Sequence, residues 1–283
     1  MFTSLLVGLD GSPLSLVALT QAIHIGRRFR SQVILVHVAR AESLAGFRPQ
    51  WIDPASDQAG SSEDQSARAL LDGAADTVRR AGLAVRTELR RGDVVETLRE
   101  LAADVGAIVV GRSGVLSAGD PLGPDTRELI RRCPRPLLVC GVAVSPMDRC
   151  LVAYDGQPAS EAALSFAARY AEIAEAHLDV LHVADDSAAG HAVLARTSAA
   201  FSASPFSYET HLANGKVEEA VSAAIAEYRS NALFTGTSRE EGRRLVPSHT
   251  EAILRATDLP VLVHSEPHDP GARTTTTHRR PSP

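Results

Sequence analysis

The chain contains 283 residues, enough for two domains of ordinary size, and its 44% apolar and 22% charged residues are typical of soluble globular proteins. The formal net charge of −5 gives no electrostatic reason to expect a nucleic acid or an anionic membrane as a partner. Apolar runs fall short of the roughly 20 residues that cross a bilayer, which excludes a membrane-spanning helix. Lys216 is the only lysine and has no glycine-rich neighbours, so a P-loop is excluded as well.

The cysteines and the first residues indicate the cellular compartment. Cys133, Cys140 and Cys150 lack the spacing of metal ligands, and the first two are expected to be small buried thiols. An odd number of cysteines is typical of a reducing compartment. The strand-like start, Phe2–Leu9, lacks the basic region and the cleavage site of a signal peptide. We therefore expect a cytoplasmic protein.

In chain order, the first part of the sequence alternates between predicted strands and helices. Ser12 is typical of an N-cap and Pro13 of a first helical turn, so the first helix begins directly after the first strand. The predicted strands are Leu5–Leu9, Val33–Val38, Val85–Leu89, Ala107–Val110 and Leu137–Cys140. The later predicted helices are Ser62–Arg80, Val94–Ala103 and Thr126–Arg132. This alternation predicts a parallel α/β sheet covered on both faces, with ligands bound at the carboxyl ends of its strands.

An internal repeat is the strongest organisational feature of the chain. Asp10, in the sequence Leu-Asp-Gly-Ser-Pro after the first strand, corresponds to Asp155 in Tyr-Asp-Gly-Gln-Pro, 145 residues later. The Leu-Val-His-Val end of the second strand returns as Val-Leu-His-Val at the same offset. The last strands follow Pro136 and Pro260, which are only 124 residues apart. The difference between the offsets of 145 and 124 makes the second copy about 21 residues shorter.

The repeat predicts the domain organisation. We expect a first domain at residues 1–145 and a shortened second domain at residues 146–265. Residues 266–283 are rich in Pro, Thr, Arg and His and have no apolar periodicity, which is typical of a disordered tail. The basic residues of this tail could contact an acidic partner, but a solvated tail is the simpler interpretation.

Four segments, taken together, resemble the universal stress protein family. They are Leu5–Ser12, Leu35–Val38, Val109–Gly114 and the ending that runs from Thr126 to Val139. The resemblance covers about residues 1–265. It implies two tandem five-stranded parallel-sheet domains of the Rossmann-like, adenine nucleotide alpha hydrolase-like type, and a role in stress response. It also implies that the two domains pair through their last strands as an internal pseudo-dimer, and that two chains can pair further as a homodimer.

The resemblance also implies a nucleotide site in the first domain. ATP-binding members of the family carry G-x2-G-x9-G-S/T after the fourth strand and an Asp at the end of the first. Asp10, Gly111, Gly114 and Gly123 match that pattern, and the backbone near Val38 would border the adenine. The glycines would let backbone N–H groups approach phosphates, and the following helix would direct its positive end at them. The implied ligand is ATP or a related adenine nucleotide.

The first copy departs from the pattern in ways that weaken a phosphate site. Its spacer, Val115–Leu122, has eight residues where the family has nine. Pro124 stands at the hydroxyl position and lacks both a hydroxyl and a backbone N–H, while Asp120 brings negative charge into the loop. Each lost hydrogen bond to a phosphate forfeits on the order of 1–3 kcal/mol. We therefore expect weakened binding of ATP.

The second copy departs further from the pattern. Asp155 and Gly236 match, but Arg239 and Pro247 replace the second and third glycines, and only Ser248 keeps the hydroxyl. The arginines of this segment could compensate for the lost donors by their charge. Because glutamates are interleaved with them, a solvated polar loop is the simpler interpretation. We expect the second domain to be the non-binding partner.

Structural roles compete with ligand or catalytic roles at several positions. Asp10 and Asp155 each precede a glycine and can be turn formers. Because each lies at the end of a strand, a ligand role is as well supported as the turn-forming role. His37 and His182 are more simply packing residues than catalysts. No segment assembles a nucleophile, a base and an orienting group, so we expect that the protein is not an enzyme.

Two functions fit these residues. The first is a universal stress protein-like regulatory protein that binds ATP or a related adenine nucleotide in its first domain, with a degenerate motif in the second. The second is a nucleotide-free module in which both sites have decayed and which binds an unidentified protein partner. A nucleotide-dependent enzyme on the same fold, such as a relative of the electron-transfer flavoproteins, is a distant third.

Overall fold

The computed structural model describes residues 1–39, 58–114, 120–237 and 249–265. The strands in these ranges are β1 (Ser4–Gly8), β2 (Gln32–Ala39), β3 (Val85–Arg91), β4 (Ala107–Gly111), β5 (Leu137–Cys140), β6 (Arg149–Ala153), β7 (His177–Val183), β8 (Tyr208–Ala213), β9 (Ala232–Thr237) and β10 (Val261–Ser265). The helices are α1 (Pro13–Phe29), α2 (Gln58–Arg80), α3 (Val94–Leu101), α4 (Pro124–Arg132), α5 (Pro158–Ala174), α6 (Ser187–Phe201), α7 (Val217–Glu227) and α8 (His249–Ala256). None of these helices has both the length and the apolar character that crossing a membrane requires.

All these strands belong to one sheet, in the order β3-β2-β1-β4-β5-β10-β9-β6-β7-β8. We call β1–β5 with their helices the N-terminal half, and β6–β10 with theirs the C-terminal half. Within each half, all neighbouring strands run parallel. The predicted α/β class and the tandem of two five-stranded, Rossmann-like parallel sheets are therefore confirmed.

Helices cover both faces of the sheet because its strands are apolar on both sides. Leu5 and Val7 belong to a core shared with α1 and α2, whereas Leu6, between them, belongs to a core shared with α3 and α4. Helices α5 and α6 continue the first layer in the C-terminal half, and α7 and α8 continue the second. Leu5, Leu6 and Val7 are fully buried, and the burial of each side chain stabilises the fold by roughly 1.5–3 kcal/mol.

The two halves join through their last strands. Residues 137–139 of β5 pair with residues 261–263 of β10 in antiparallel register. Aromatic rings reinforce this joint, since Phe2 and Phe29 of the N-terminal half meet Tyr170 of the C-terminal half at centroid distances of 6.3 and 5.5 Å. The predicted pairing through the last strands, which makes the two halves an internal pseudo-dimer, is therefore confirmed.

The connection between the halves is held by a buried amide. The Gln21 side chain, 0% exposed, donates Nε2–H to the Ser145 carbonyl at 3.0 Å and accepts from the Ser145 N–H at 2.8 Å. The segment of residues 141–148 is thus fixed to α1 at Ser145. The predicted domain boundary at residues 145 and 146 falls inside this segment and stays a prediction.

The first strand-to-helix turn of each half repeats the same backbone geometry. Gly11 and Gly156, 145 residues apart, have φ angles of +80° and +76°, a region that a side chain rarely adopts. Arg30 and Glu175 end the two following helices with φ angles of 55° and 53° at the same offset. The internal repeat seen in the sequence is therefore also a repeat of backbone conformation.

The shortening of the second copy lies after the second strand of its half. Helix α6 has 15 residues where α2 has 23. The rest of the difference concerns residues 40–57, which lie outside the described residues, as does the predicted disordered tail at 266–283. Helix α4 contains the predicted residues 126–132 and begins two residues earlier, at Pro124, because Gly123 takes the N-cap position and proline suits the first turn.

Each half brings a helix into close contact with a strand at a glycine. A Cβ atom built on Gly236 would lie 2.3 Å from the backbone carbon of Ala159, at the start of α5. The corresponding atom on Gly111 would lie 2.9 Å from the backbone carbon of Leu14 in α1. Both distances are too short for real atoms, so glycine is required at both places for the helix to lie on the sheet.

Gly236→Ala tests this requirement away from the predicted nucleotide site. We expect a loss of roughly 1–3 kcal/mol of stability, because the methyl group pushes α5 from β9. Gly73→Ala is the matched control, since no atom lies within 4 Å of its added Cβ and alanine favours a helix by up to about 1 kcal/mol. Urea unfolding followed by circular dichroism measures both. An unchanged midpoint for Gly236→Ala would contradict the close contact.

Candidate functional site

The topology places the predicted site at the centre of the N-terminal half. Chain order reverses between β1 and β4, which are neighbours in the sheet. Asp10 follows β1, Gly111 ends β4, and Val38 lies near the end of the adjacent β2. Open parallel sheets bind ligands at this kind of reversal, at the carboxyl ends of the strands.

Asp10 and Gly114 come into direct contact there. A Cβ atom on Gly114 would lie 2.4 Å from Oδ2 of Asp10, so the carboxylate occupies the place that any larger residue would take. The other carboxylate oxygen, Oδ1, accepts the Ser12 N–H at 2.9 Å. Asp10 is exposed at the surface. Asp10 therefore forms the turn and also lies against Gly114. Its ligand role stays a prediction.

The equivalent aspartate of the C-terminal half, Asp155, makes two side-chain hydrogen bonds near the start of α5. Asp155 Oδ1 accepts the Gln157 N–H at 2.9 Å and the Ser160 hydroxyl at 2.5 Å. The first of these bonds repeats the turn made by Asp10, so the turn-forming role is common to both halves. The second joins Asp155 to the first turn of α5.

Gly111 has a structural role that sequence patterns missed. Its carbonyl accepts the Thr126 hydroxyl at 3.1 Å, and the Gly236 carbonyl accepts the Thr250 hydroxyl at 3.2 Å in the other half. Both halves therefore share the close contact of this glycine with a helix and the hydrogen bond from a threonine to its carbonyl. Glycine at Gly111 is thus explained by packing, whether or not a phosphate approaches it.

Gly123 has its backbone donor engaged inside the protein. Its N–H donates to the Arg112 carbonyl at 2.9 Å, and the next residue, Pro124, has no N–H. Asp125 adds a carboxylate to the first turn of α4. The start of α4 therefore offers a phosphate fewer donors than its glycine suggests, which extends the weakening expected from Pro124.

Val38 lies on β2 opposite Arg90 of β3 and is half-buried. Its side chain packs against the core on the face that α3 and α4 cover. Because β2 is adjacent to β1, this residue flanks the turn at Asp10 on the side away from β4. That is the place expected for a residue beside an adenine, and the role itself stays a prediction.

The two strand-end histidines are structural. His37 Nδ1 lies 2.7 Å from the Leu9 carbonyl, and His182 Nδ1 lies 2.8 Å from the Tyr154 carbonyl. Since a carbonyl can only accept, each Nδ1 carries a proton and donates it. Both rings tie the end of a second strand to the residue before the aspartate, which agrees with the packing role preferred from the sequence.

Arg112 is the feature of this loop that sequence reasoning missed. It is 4% exposed and reaches α8 of the C-terminal half, where it donates to the Leu254 carbonyl, to the Thr257 carbonyl at 2.7 Å and to Asp258 at 2.9 Å. A cation at the carboxyl end of a helix is stabilised by the helix dipole. Burial lowers the pKa of Arg112 from its usual range, and Asp258 opposes that effect. An arginine between two loop glycines was the only sequence signal for it.

Asp120, in the same segment between β4 and α4, also bonds helix α8. Its carboxylate accepts from Arg127 at 2.6 Å, from Arg255 of α8 at 2.9 Å and from the Leu122 N–H at 3.0 Å. The negative charge that we expected to oppose a phosphate is therefore neutralised by two arginines. These bonds, that of Arg255 first, lower the pKa of Asp120 to about 2.

Comparison with known proteins decides the family. The model of the universal stress protein family matches residues 1–141 and 147–205. This chain belongs to the universal stress protein family. None of the curated proteins compared with the chain matches it.

Solved structures agree on the fold of this universal stress protein. A universal stress protein from Archaeoglobus fulgidus DSM 4304 has a TM-score of 0.78 at 19% identity, over 93% of this chain and 96% of that one. A functionally unknown protein from Pseudomonas aeruginosa PAO1 has a TM-score of 0.66 at 20% identity, over 94% and 93% of the two chains. Both similarities span the two halves together, so the tandem arrangement is shared.

The C-terminal half of this universal stress protein contains a cavity of about 410 Å³. It lies between the ends of β7 and β8 and helix α7, and Leu181, Leu212 and Tyr228 are among its lining residues. No residue predicted for the nucleotide site borders it. The degenerate motif of this half, Arg239, Pro247 and Ser248, lies outside the described residues.

The hydrogen bonds of Asp120 with Arg127 and Arg255 are expected to depend on pH. Because the pKa of Asp120 is lowered from its ordinary value of 3.8 to about 2, its bonds are fully present above pH 4 and are lost only as the pH falls through about 2. Carbon-13 NMR of the side-chain carboxyl should therefore still report the ionised form at pH 3. Arg255→Gln should raise the midpoint, whereas Arg79→Gln, which removes an exposed arginine paired with Asp76, should not. An Asp120 midpoint near 3.8 in the unaltered protein would contradict these hydrogen bonds.

Proposed function

We propose that this universal stress protein is a regulatory binding protein whose N-terminal half takes ATP or a related adenine nucleotide at the tips of β1, β2 and β4. The observation that carries the proposal is the contact between the exposed Asp10 carboxylate and Gly114 at the point where strand order reverses. The proposal includes a cytoplasmic location, a protein partner that responds to the nucleotide, and no catalysis. The three cysteines are free and buried, in keeping with a reducing compartment.

The nucleoside end of the ligand fits this site better than the phosphate end. A carboxylate accepts hydrogen bonds from ribose hydroxyls, and the apolar side chain of Val38 suits the edge of an adenine ring. At the phosphate end, the Gly123 N–H is engaged by Arg112 and Pro124 has none to give. We therefore expect ATP to bind with little advantage over AMP.

The hydrogen bonds between this loop and the region of α8 support a regulatory role. Arg112 and Asp120 both lie in the segment that connects β4 with α4, and both bond groups of the C-terminal half. A phosphate that competes for the arginines or displaces the loop acts directly on the joint between the halves. In this proposal, nucleotide binding is transmitted by a change at that joint.

Pro124→Ser tests the phosphate end. The change returns one N–H and one hydroxyl to the start of α4, and hydrogen bonds to a charged acceptor are worth about 1.5–3 kcal/mol each. We expect ATP affinity to rise by about tenfold or more, with little effect on adenosine. Calorimetric titration with ATP, AMP and adenosine measures this. Pro158→Ser, at the first turn of α5 in the other half, is the matched control and should change nothing.

Gly114→Ala tests the nucleoside end. The added methyl group would collide with Oδ2 of Asp10 and move the carboxylate, so nucleotide affinity should fall at least several-fold while the fold is kept. Gly73→Ala again serves as the control. Equal affinity in Gly114→Ala and the unaltered protein would remove Asp10 from the proposal.

A nucleotide-free interaction module is the second candidate, and the engaged Gly123 N–H favours it. The same titrations decide between the two. Heat on adding millimolar ATP to the unaltered protein supports the binding protein. No heat there, together with binding by Pro124→Ser, supports a site that has decayed.

A further inference from the structure

A buried carboxylate in the C-terminal half has no role in the site described above. Asp179 lies on β7 with its side chain only 2% exposed. Its Oδ1 lies 2.9 Å from His211 Nε2 and 3.3 Å from His177 Nε2. Its Oδ2 is buried and has no hydrogen-bond partner among the described residues. A buried charged oxygen without a partner is costly, because it loses water and gains nothing in return.

The neighbours of Asp179 are metal-binding residue types. Strands β7 and β8 pair with Asp179 opposite Glu209, and His211 follows two residues later on the same face. Ligand atoms of Asp179, Glu209 and His211 all lie within 4.8 Å of one another. His177 lies two residues before Asp179, again on that face. The ligand atoms of one imidazole and two carboxylates thus share one small volume, and a second imidazole, that of His177, lies beside Asp179.

The fold does not require a carboxylate at this place. The equivalent position in the N-terminal half, 145 residues earlier, is Ile34, a buried side chain of the core beside α3 and α4. The register agrees, since Val33 pairs with Val85 in one half and Leu178 with Tyr208 in the other. One copy of the repeat therefore fills the position with an apolar side chain. The charged residue in the other copy calls for an interaction that offsets its burial.

We propose that Asp179, Glu209 and His211, assisted by His177, form a binding site for a divalent transition-metal cation of the Zn²⁺ type. Imidazole nitrogen and carboxylate oxygen are ligands that Zn²⁺ takes in tetrahedral sites. The cation would bond Oδ2 of Asp179, which the protein leaves unpartnered, and balance the two carboxylate charges.

Neighbouring groups hold the two histidines in place. His177 Nδ1 lies 2.9 Å from the Ser207 hydroxyl, so that its Nε2 is directed to Asp179. The His211 ring stacks on Tyr228, with centroids 3.9 Å apart. Supporting contacts of this kind orient the ligands of known metal sites.

The cluster is independent of the nucleotide proposal. His177 begins β7 and Glu209 is the second residue of β8, so the cluster lies toward the amino ends of these strands, whereas the nucleotide residues lie at the carboxyl tips of the other half. Failure of either proposal leaves the other intact.

The experiment uses the full chain without an affinity tag, treated with a chelator and dialysed into metal-free buffer. Calorimetric titration with ZnCl₂ should show one site per chain with a dissociation constant of about 1 μM or tighter. Titration with CoCl₂ should give the visible absorption of Co²⁺ bound to nitrogen and oxygen ligands. Zn²⁺ should also raise the thermal midpoint, since it binds only the folded chain.

Three variants test the ligands. Asp179→Asn and His211→Gln should each weaken Zn²⁺ binding by about 100-fold or more, and Glu209→Gln by about tenfold. The Glu209 side chain is 67% exposed, so its variant folds normally and decides the outcome if the buried variants do not fold. His191→Gln removes an exposed histidine of α6 outside the cluster and should leave affinity unchanged.

The possible results separate the proposal from its rival, a metal-free hydrogen-bonded His–Asp–His group. No Zn²⁺ heat and no Co²⁺ absorption in the unaltered protein would establish the rival. Zn²⁺ binding of equal affinity in Glu209→Gln, Asp179→Asn and the unaltered protein would place the ion elsewhere and overturn the site.

Discussion

The antiparallel pairing of β5 with β10 is the contact on which the rest of this protein depends. Either half alone would expose β5 or β10 as an unpaired strand edge. In the joined sheet these two strands lie at the centre, and Leu138 and Leu262 are fully buried. Joining the edges removes both and lets each helical layer continue across the molecule. The aromatic contacts of Phe2 with Tyr170 are possible only because the sheet brings the halves to this distance.

The joint also changes what the glycine loop can do. Arg112, inside the loop, is buried against the end of α8, and its carbonyl engages the Gly123 N–H. Arg112 therefore takes part both in closing the loop and in the contact between the halves. In the proposed function, a phosphate would compete for a group that also joins the halves, and this competition links the proposed binding to the proposed regulation.

Comparison of the halves separates structural requirements from local specialisation. The Thr126 bond to Gly111 and the Thr250 bond to Gly236 are the same in both halves, because a helix must lie on the sheet at that point in each. The position of Asp179 differs, since the other half carries an apolar residue there. Features that occur once in a duplicated fold are not explained by the fold, and they are where a ligand is best sought.

The sequence by itself determined the alternation of strands and helices, the repeat, the turns at Gly11 and Gly156, and the meeting of Asp10 with the glycine loop. These follow from local apolar runs, turn residues and the topology of parallel sheets. The roles in nucleotide binding stay predictions for all five residues of the expected site, Asp10, Val38, Gly111, Gly114 and Gly123.

Only the tertiary structure decided that Arg112 and Asp120 hold α8, that packing explains Gly111, and that Asp179 meets His211. Each involves partners far apart in the chain, such as Arg112 and Leu254, or on separate strands. A local residue pattern does not specify which strands and helices come into contact, because these contacts result from the sum of many weak packing interactions over the whole molecule.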